Sequence, residues 1–166
     1  DSFAIQQADS VAVESSTDIL KALAVKDRFR EPISAVTVII PALNEERSLP
    51  LVLGDLPSVG EVTVVDNGSD DATSAVAESL GATVLCEAQR GYGAACLAGL
   101  REVERNVAAG ASPPAVIAFV DADYSDHRYL LPEIVGPILD GCVDFVLGSR
   151  LMGQLEPGAM PPQSVY

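Results

Sequence analysis

From Val36 onward, short β-branched runs alternate with longer segments whose apolar residues recur at helical spacing, and this alternation limits the possible folds more than any other feature of the chain. The runs Val36–Pro41, Glu61–Asp66, Thr83–Glu87, Ala115–Asp121 and Val143–Gly148 predict five buried strands. The intervening stretches Glu45–Leu56, Asp70–Leu80, Gly93–Ala109 and Tyr129–Leu139 predict helices, with Asn44 and Ser69 as N-caps of the first two. Strands apolar along their whole length need cover on both faces. The expected fold class is therefore α/β, a mostly parallel central sheet with helices on both faces. Residues 1–34 are polar and weakly patterned, although Ser16-Thr17-Asp18 ahead of Ile19, Leu20, Leu23 and Ala24 reads as a capped amphipathic helix. They are expected to form an N-terminal extension to one domain over residues 35–166.

Composition narrows the function. A chain of 166 residues at 48% hydrophobic content has enough apolar material for one core. Ten Lys and Arg against 24 Asp and Glu give a net charge of −14, which repels nucleic acid and anionic lipid headgroups, and the basic residues form no run. No nucleic-acid partner is expected. No apolar stretch approaches the roughly 20 residues that a membrane-spanning helix needs. Cys86, Cys96 and Cys142 lack CxxC spacing and sit in apolar contexts, which predicts buried free thiols in a reducing compartment, hence the cytoplasm. The chain starts at Asp1 rather than Met and ends after the Pro- and Gly-rich stretch Glu156–Pro162, so it reads as a piece of a longer protein.

In parallel sheets ligands bind beyond the carboxyl ends of the strands, so the residues after each strand carry the functional information. Pro41-Ala42-Leu43-Asn44-Glu45-Glu46 follows the first strand. It is acidic and glycine-free, which disfavours the glycine-rich phosphate turn of a dinucleotide-binding dehydrogenase. Asp66-Asn67-Gly68-Ser69-Asp70-Asp71 follows the second and offers polar groups to a base or ribose. Arg90-Gly91-Tyr92-Gly93 follows the third, with Arg90 able to approach a diphosphate. After the fourth come Asp121-Ala122-Asp123. Residues two apart on an extended backbone face the same way, so two carboxylates share one site, and a hard divalent cation such as Mg²⁺ or Mn²⁺ relieves their repulsion. A calcium loop of the EF-hand type fails, because Asp126 stands where glycine is needed and Pro132 where glutamate is needed. Gly148-Ser149-Arg150 ends the fifth strand with a cation placed to meet a phosphate. His127 has no His or Cys neighbours at metal spacing, so it reads as an exposed loop residue rather than a zinc ligand.

The segments Val38–Glu46, Val64–Thr73, Arg90–Ala95, Asp121–Asp123 and Gly148–Arg150 occur in an order that resembles family 2 glycosyltransferases of the GT-A fold. Within that family the chain is most similar to the polyprenyl- or dolichyl-phosphate sugar synthases. The resemblance implies that Pro41, Leu43 and Glu45 line a nucleoside pocket, that Asp66 and Asn67 contact base or ribose, and that Arg90, Gly91 and Gly93 flank the donor. It implies that Asp121 and Asp123 are the DxD pair holding the cation on the sugar-nucleotide diphosphate, and that Arg150 faces the acceptor phosphate. The family commonly has a second aspartate where Asn67 stands, and its lipid-phosphate-using members often carry Gln-His after the DxD-Leu, whereas here Ser125-Asp126 precede His127 and no third metal ligand is assigned. Its catalytic domain normally runs beyond residue 166, which implies that part of the acceptor site, and any membrane association, lies outside this chain.

The expected function is metal-dependent transfer of a sugar from a nucleoside-diphosphate sugar, with inversion, to an acceptor such as polyprenyl phosphate at the cytoplasmic face of a membrane. An anionic phosphate acceptor needs no strong base, whereas a hydroxyl acceptor does, and Asp126 or Glu156 would then serve. Two other readings stay open: a retaining GT-A transferase that makes a small glycosylated solute, and a non-catalytic nucleotide-binding module. A sugar nucleotidyltransferase would need a glycine- and basic-rich loop where Pro41–Glu46 stands.

Overall fold

The computed structural model describes residues 31–148. Its centre is a four-stranded parallel sheet of β1 (Val36–Ala42), β2 (Glu61–Asp66), β3 (Thr83–Cys86) and β4 (Val116–Phe119), in the order β3-β2-β1-β4. Every residue of β1 is buried, as a central strand covered on both faces requires, whereas edge strand β3 is exposed at both ends. The helices are α1 (Leu49–Asp55), α2 (Thr73–Ser79), α3 (Tyr92–Ala108) and α4 (Leu131–Leu139), the last entered through a 3-10 turn at Arg128–Leu130.

Side-chain alternation along the strands splits the core in two. Val36, Val38, Ile40, Val64, Val116 and Ala118 pack with Leu49, Val52, Ala77, Leu131, Val135 and Leu139, which places α1, α2 and α4 on one face. Ile39 and Val65 point the other way and meet Ala95 and Val103 of α3. Right-handed crossovers demand this split: the chain steps from β1 out to β3 with its helices on one face, then returns to β4 with α3 on the other. The direction reverses between β1 and β4, so the crevice for a ligand opens at their carboxyl ends.

The predicted fifth strand is not formed. Residues 143–148 carry no strand, and Val143, Phe145 and Leu147 are exposed at 43%, 77% and 79%. A strand needs a neighbour for its hydrogen bonds, and among the described residues β4 pairs with β1 alone. Because α4 lies on the face of α1 and α2, a direct crossover from β4 to a parallel strand on its outer side would be left-handed, which is rare. The cysteine expectation also fails: the thiols are free, but Cys86 and Cys142 are exposed and Cys96 is half-buried. Cys86 ends the uncovered edge strand, and Cys142 follows α4. The predicted N-terminal helix, Ser149, Arg150 and Glu156 lie outside the described residues.

Candidate active site

Four loops meet at the carboxyl end of the sheet, and the polar residues that follow β1 and β2 first of all bind one another. Asn44 N–H donates to Ser69 Oγ at 2.9 Å and Asp70 N–H returns a bond to Asn44 Oδ1 at 2.8 Å. Glu45 N–H donates to Thr73 Oγ1 at 2.8 Å, while Glu46 N–H donates to Asp71 Oδ2 at 3.2 Å and Glu46 Oε2 accepts Ala72 N–H at 3.0 Å. Asn44 and Ser69 are thus not helix caps but two halves of a clasp between loops, and the positions before α1 and α2 are Ser48 and Ala72. Asn44 adopts φ 59°, a left-handed conformation that asparagine tolerates better than most residues.

Asp66 and Asn67 are 8% and 5% exposed, and both are occupied by the protein itself. Asp66 Oδ1 accepts Gly68 N–H at 3.1 Å and Ser69 N–H at 2.8 Å, and Oδ2 accepts the Ser74 hydroxyl. Burial raises the Asp66 pKa, but the bonds from Ser74, Ser69 and Gly68 together outweigh it and hold the carboxyl below its ordinary value. Asn67 Nδ2 donates to the carbonyls of Glu87 at 3.0 Å and Gln89 at 2.8 Å, and its Oδ1 accepts Gly91 N–H at 2.6 Å. Its amide spans the turn between β3 and α3, where an aspartate could accept from Gly91 but could not donate to either carbonyl. Arg90, exposed, closes the same turn by donating from Nη2 to Gly68 O at 3.1 Å. Gly91 takes φ 129° just before α3, a conformation that favours glycine, and Gly93 is exposed in the first turn of that helix. Of the residues expected to line a nucleoside pocket, Pro41 is buried within β1, Leu43 is 44% exposed just beyond it, and Glu45 is half-buried with its carboxylate bonded to the Ser48 hydroxyl.

The carboxylate pair follows β4. The strand stops at Phe119 and residues 122 and 123 form a turn, so the two aspartates are separated by a bend rather than by the extended backbone expected from their spacing. Ala122 is 4% exposed and packs into the core, Asp121 is half-buried, and Asp123 is exposed and accepts Ser125 N–H at 2.9 Å. Among the described residues no group of three His, Cys, Asp or Glu side chains gathers to hold a metal. The donor set therefore suits a hard cation that takes its remaining oxygens from a bound diphosphate or water. Asp126 and His127 are exposed in the same loop.

Four residues around this pair take places that the sequence does not reveal. Tyr92 donates its hydroxyl to Asp121 Oδ1 at 3.0 Å. Burial, that bond and the Asp121 charge push the phenol well above its ordinary pKa. Burial likewise raises the Cys96 thiol, with a hydrogen bond with Tyr92 acting against it and the Asp121 charge adding to it. Tyr124, at φ 58°, reaches Asp55 at the end of α1. Arg128 is 3% exposed beneath the loop. In the sequence Tyr92 stands out only within Arg90–Gly93 and Cys96 only as a thiol, and no local pattern marks Tyr124 or Arg128 as neighbours of the pair.

Residues 37–166 match the family model described as glycosyl transferase family 2. The chain belongs to that family. An uncharacterized glycosyltransferase of Mycobacterium tuberculosis is 44% identical over 116 residues, covering 70% of this chain and 49% of the relative. A dolichyl-phosphate hexose transferase of Haloferax volcanii is 34% identical over 120 residues, 70% of this chain and 48% of its own. Among solved structures, glucosyl-3-phosphoglycerate synthase from Mycobacterium tuberculosis, in complex with Mn²⁺, UDP-glucose and phosphoglyceric acid, superimposes with a TM-score of 0.51 at 26% identity. That alignment covers 80% of this chain and 46% of the synthase. This family 2 glycosyltransferase chain thus spans about half the length of the curated relatives it matches.

Proposed function

We propose that the chain carries the donor half of a metal-dependent glycosyltransferase that moves a sugar from a nucleoside-diphosphate sugar to a phosphate-bearing acceptor. The observation that carries this reading is the placement of Asp121 and Asp123 at the mouth of the β1/β4 crevice, beside the clasped loops that follow β1 and β2. A divalent cation, Mg²⁺ or Mn²⁺, held there would neutralise the charge that develops on the leaving diphosphate. Leu43 and Glu45 border the nucleoside, and Arg90 and Gly91 lie on the phosphate side, steadied by Asn67. The bond from the anomeric carbon to the diphosphate breaks, its electron pair leaving with the nucleotide, as an acceptor oxygen bonds to that carbon.

Polyprenyl phosphate, its oxygen attacking the anomeric carbon with inversion there, is the acceptor we favour. Support comes from the dolichyl-phosphate hexose transferase relative and from Arg150, a cation expected to meet an acceptor phosphate. A phosphate oxygen is already anionic, so Asp126 is needed as a base only if the acceptor is a hydroxyl. A retaining transferase that glycosylates a small phosphorylated solute is the second reading, favoured by the likeness to glucosyl-3-phosphoglycerate synthase. Residues 35–166 would form the donor domain behind an extension at 1–34, acting at the cytoplasmic face of a membrane; among the described residues no helix is long and apolar enough to cross one.

The test is thermal stabilisation by UDP, GDP and their sugar conjugates, with and without Mn²⁺, in the wild-type chain and in Asp123→Ala. A ligand that binds only the folded state raises stability by about 2.7 kcal/mol at a hundredfold excess over its Kd. One nucleotide is expected to give a Mn²⁺-dependent shift that the variant loses; equal shifts in both proteins reject the assigned site.

A further inference from the structure

Arg128 is the one buried cation among the described residues. Its guanidinium donates from Nη2 to Asp121 O at 3.1 Å and from Nη1 to Asp126 O at 2.7 Å. Both bonds go to main-chain oxygens, one at each end of the segment that bears Asp121 and Asp123. Above the guanidinium lies the Tyr124 ring, 4.9 Å from Cζ to centroid, and the Tyr124 hydroxyl reaches the Asp55 carboxylate. Below, Arg128 opens the 3-10 turn that leads into α4, whose Leu131, Val135 and Leu139 are core residues.

We infer that Arg128 is a positioning residue that fixes the backbone carrying Asp121 and Asp123 in the geometry a divalent cation and diphosphate require. This rests on the donor reading above. Between Phe119 and Arg128 the loop has no regular secondary structure and contains the left-handed Tyr124, and the two Arg128 bonds tie its ends together. A planar guanidinium with donors in a fixed fork can bridge two carbonyls at once and stack on a ring, which a lysine ammonium cannot reproduce. Its position beneath the loop also sets a permanent positive charge under a segment with three aspartates, Asp121, Asp123 and Asp126. Groups that orient metal ligands without touching the metal commonly alter metal affinity by about 10- to 100-fold when replaced.

The test measures Mn²⁺ binding by the electron paramagnetic resonance of free Mn²⁺, in the presence of UDP, for the full 166-residue chain. Arg128→Lys is expected to weaken Mn²⁺ binding about tenfold or more, leave metal-free UDP binding unchanged, and speed hydrogen exchange at the Ser125 amide, which bonds to Asp123. Val103→Ala, in the core behind the opposite face, lowers the melting temperature without moving Mn²⁺ affinity. Tyr124→Leu removes the exposed ring over the guanidinium together with its hydroxyl bond to Asp55 and gives a smaller loss in the same direction, so the role stays testable if Arg128→Lys folds poorly. Wild-type Mn²⁺ affinity in Arg128→Lys, or in Tyr124→Leu where Arg128→Lys does not fold, overturns the inference alone. A wild-type chain with no Asp123-dependent Mn²⁺ binding overturns the donor reading and this role together.

Discussion

Asp66 and Asn67 stand side by side at the end of β2, and both hydrogen-bond the protein around them. Asn67 spends its side-chain polar atoms on the backbone of the loops around it, and Asp66 divides its own between loop amides and the Ser74 hydroxyl, so together they brace the loops at the carboxyl end of β2. Asp66 also makes stability depend on pH. Its folded-state pKa lies below the ordinary value near 3.8, so its contribution is complete above that value and is lost as pH falls through the lower, folded one. Asp66→Asn is therefore expected to be less stable than wild type at pH 7 by about 1.5–3 kcal/mol, the range for hydrogen bonds to a charged group. Urea unfolding should find the difference narrowing as pH is lowered below about 4; a constant difference down to acid would show that the charge contributes nothing. Asn67 was visible in the sequence only as a polar residue at a strand end, because its partners, the carbonyls of Glu87 and Gln89, are twenty or more positions away.

Helix α3 is the element that covers the second face of the sheet, and its fit to β1 depends on Gly99. A Cβ built there would lie 2.5 Å from Ile39 Cγ2 and 3.1 Å from its Cδ1, and Ile39 is wholly buried. Helix propensity alone favours alanine over glycine by about 1 kcal/mol. Overpacking a closed core costs about 1–3 kcal/mol, and a β-branched neighbour on a central strand has little room to yield. Gly99→Ala is expected to lower stability despite its better propensity; an unchanged or higher melting temperature would mean that β1 and α3 separate freely. The periodicity of the sequence located α3 to within a residue at each end, yet glycine at this position read only as a weak spot in a helix. The shorter helices start later than predicted, α1 at Leu49 and α2 at Thr73, because the polar residues ahead of them are taken up by the clasp between loops.

Over the whole molecule, acidity and architecture act against each other. A net charge of −14 on 166 residues repels itself most in the compact state. Raising ionic strength from about 0.01 M to about 0.1 M shortens the screening length from about 30 Å to about 10 Å. The melting temperature is expected to rise over that interval, and a fall would show that favourable ion pairs outweigh the repulsion. The same acidity bears on the crevice, where Asp121 and Asp123 are joined by Glu45, Glu46, Asp70 and Asp71 on the neighbouring loops. On the proposed reading, such a surface favours a cation, and an anionic diphosphate would bind there only with one.

The succession of strands and helices, the parallel sheet and the strand-end acids were legible in the sequence because each follows from local pattern: β-branched runs, helical spacing, and polar residues where a buried strand stops. The four central strands and the approximate helix spans rest on that pattern. The fifth strand does not, since a strand exists only against a neighbour, and whether Val143–Gly148 has one depends on the face that α4 occupies. Tertiary structure alone decided that Asn67 braces a turn, that Tyr92 meets Asp121 across 29 positions of sequence, and that the Arg128 guanidinium lies buried under the carboxylate loop. These pairings join residues brought together only when the sheet folds, and no periodicity along the chain encodes them.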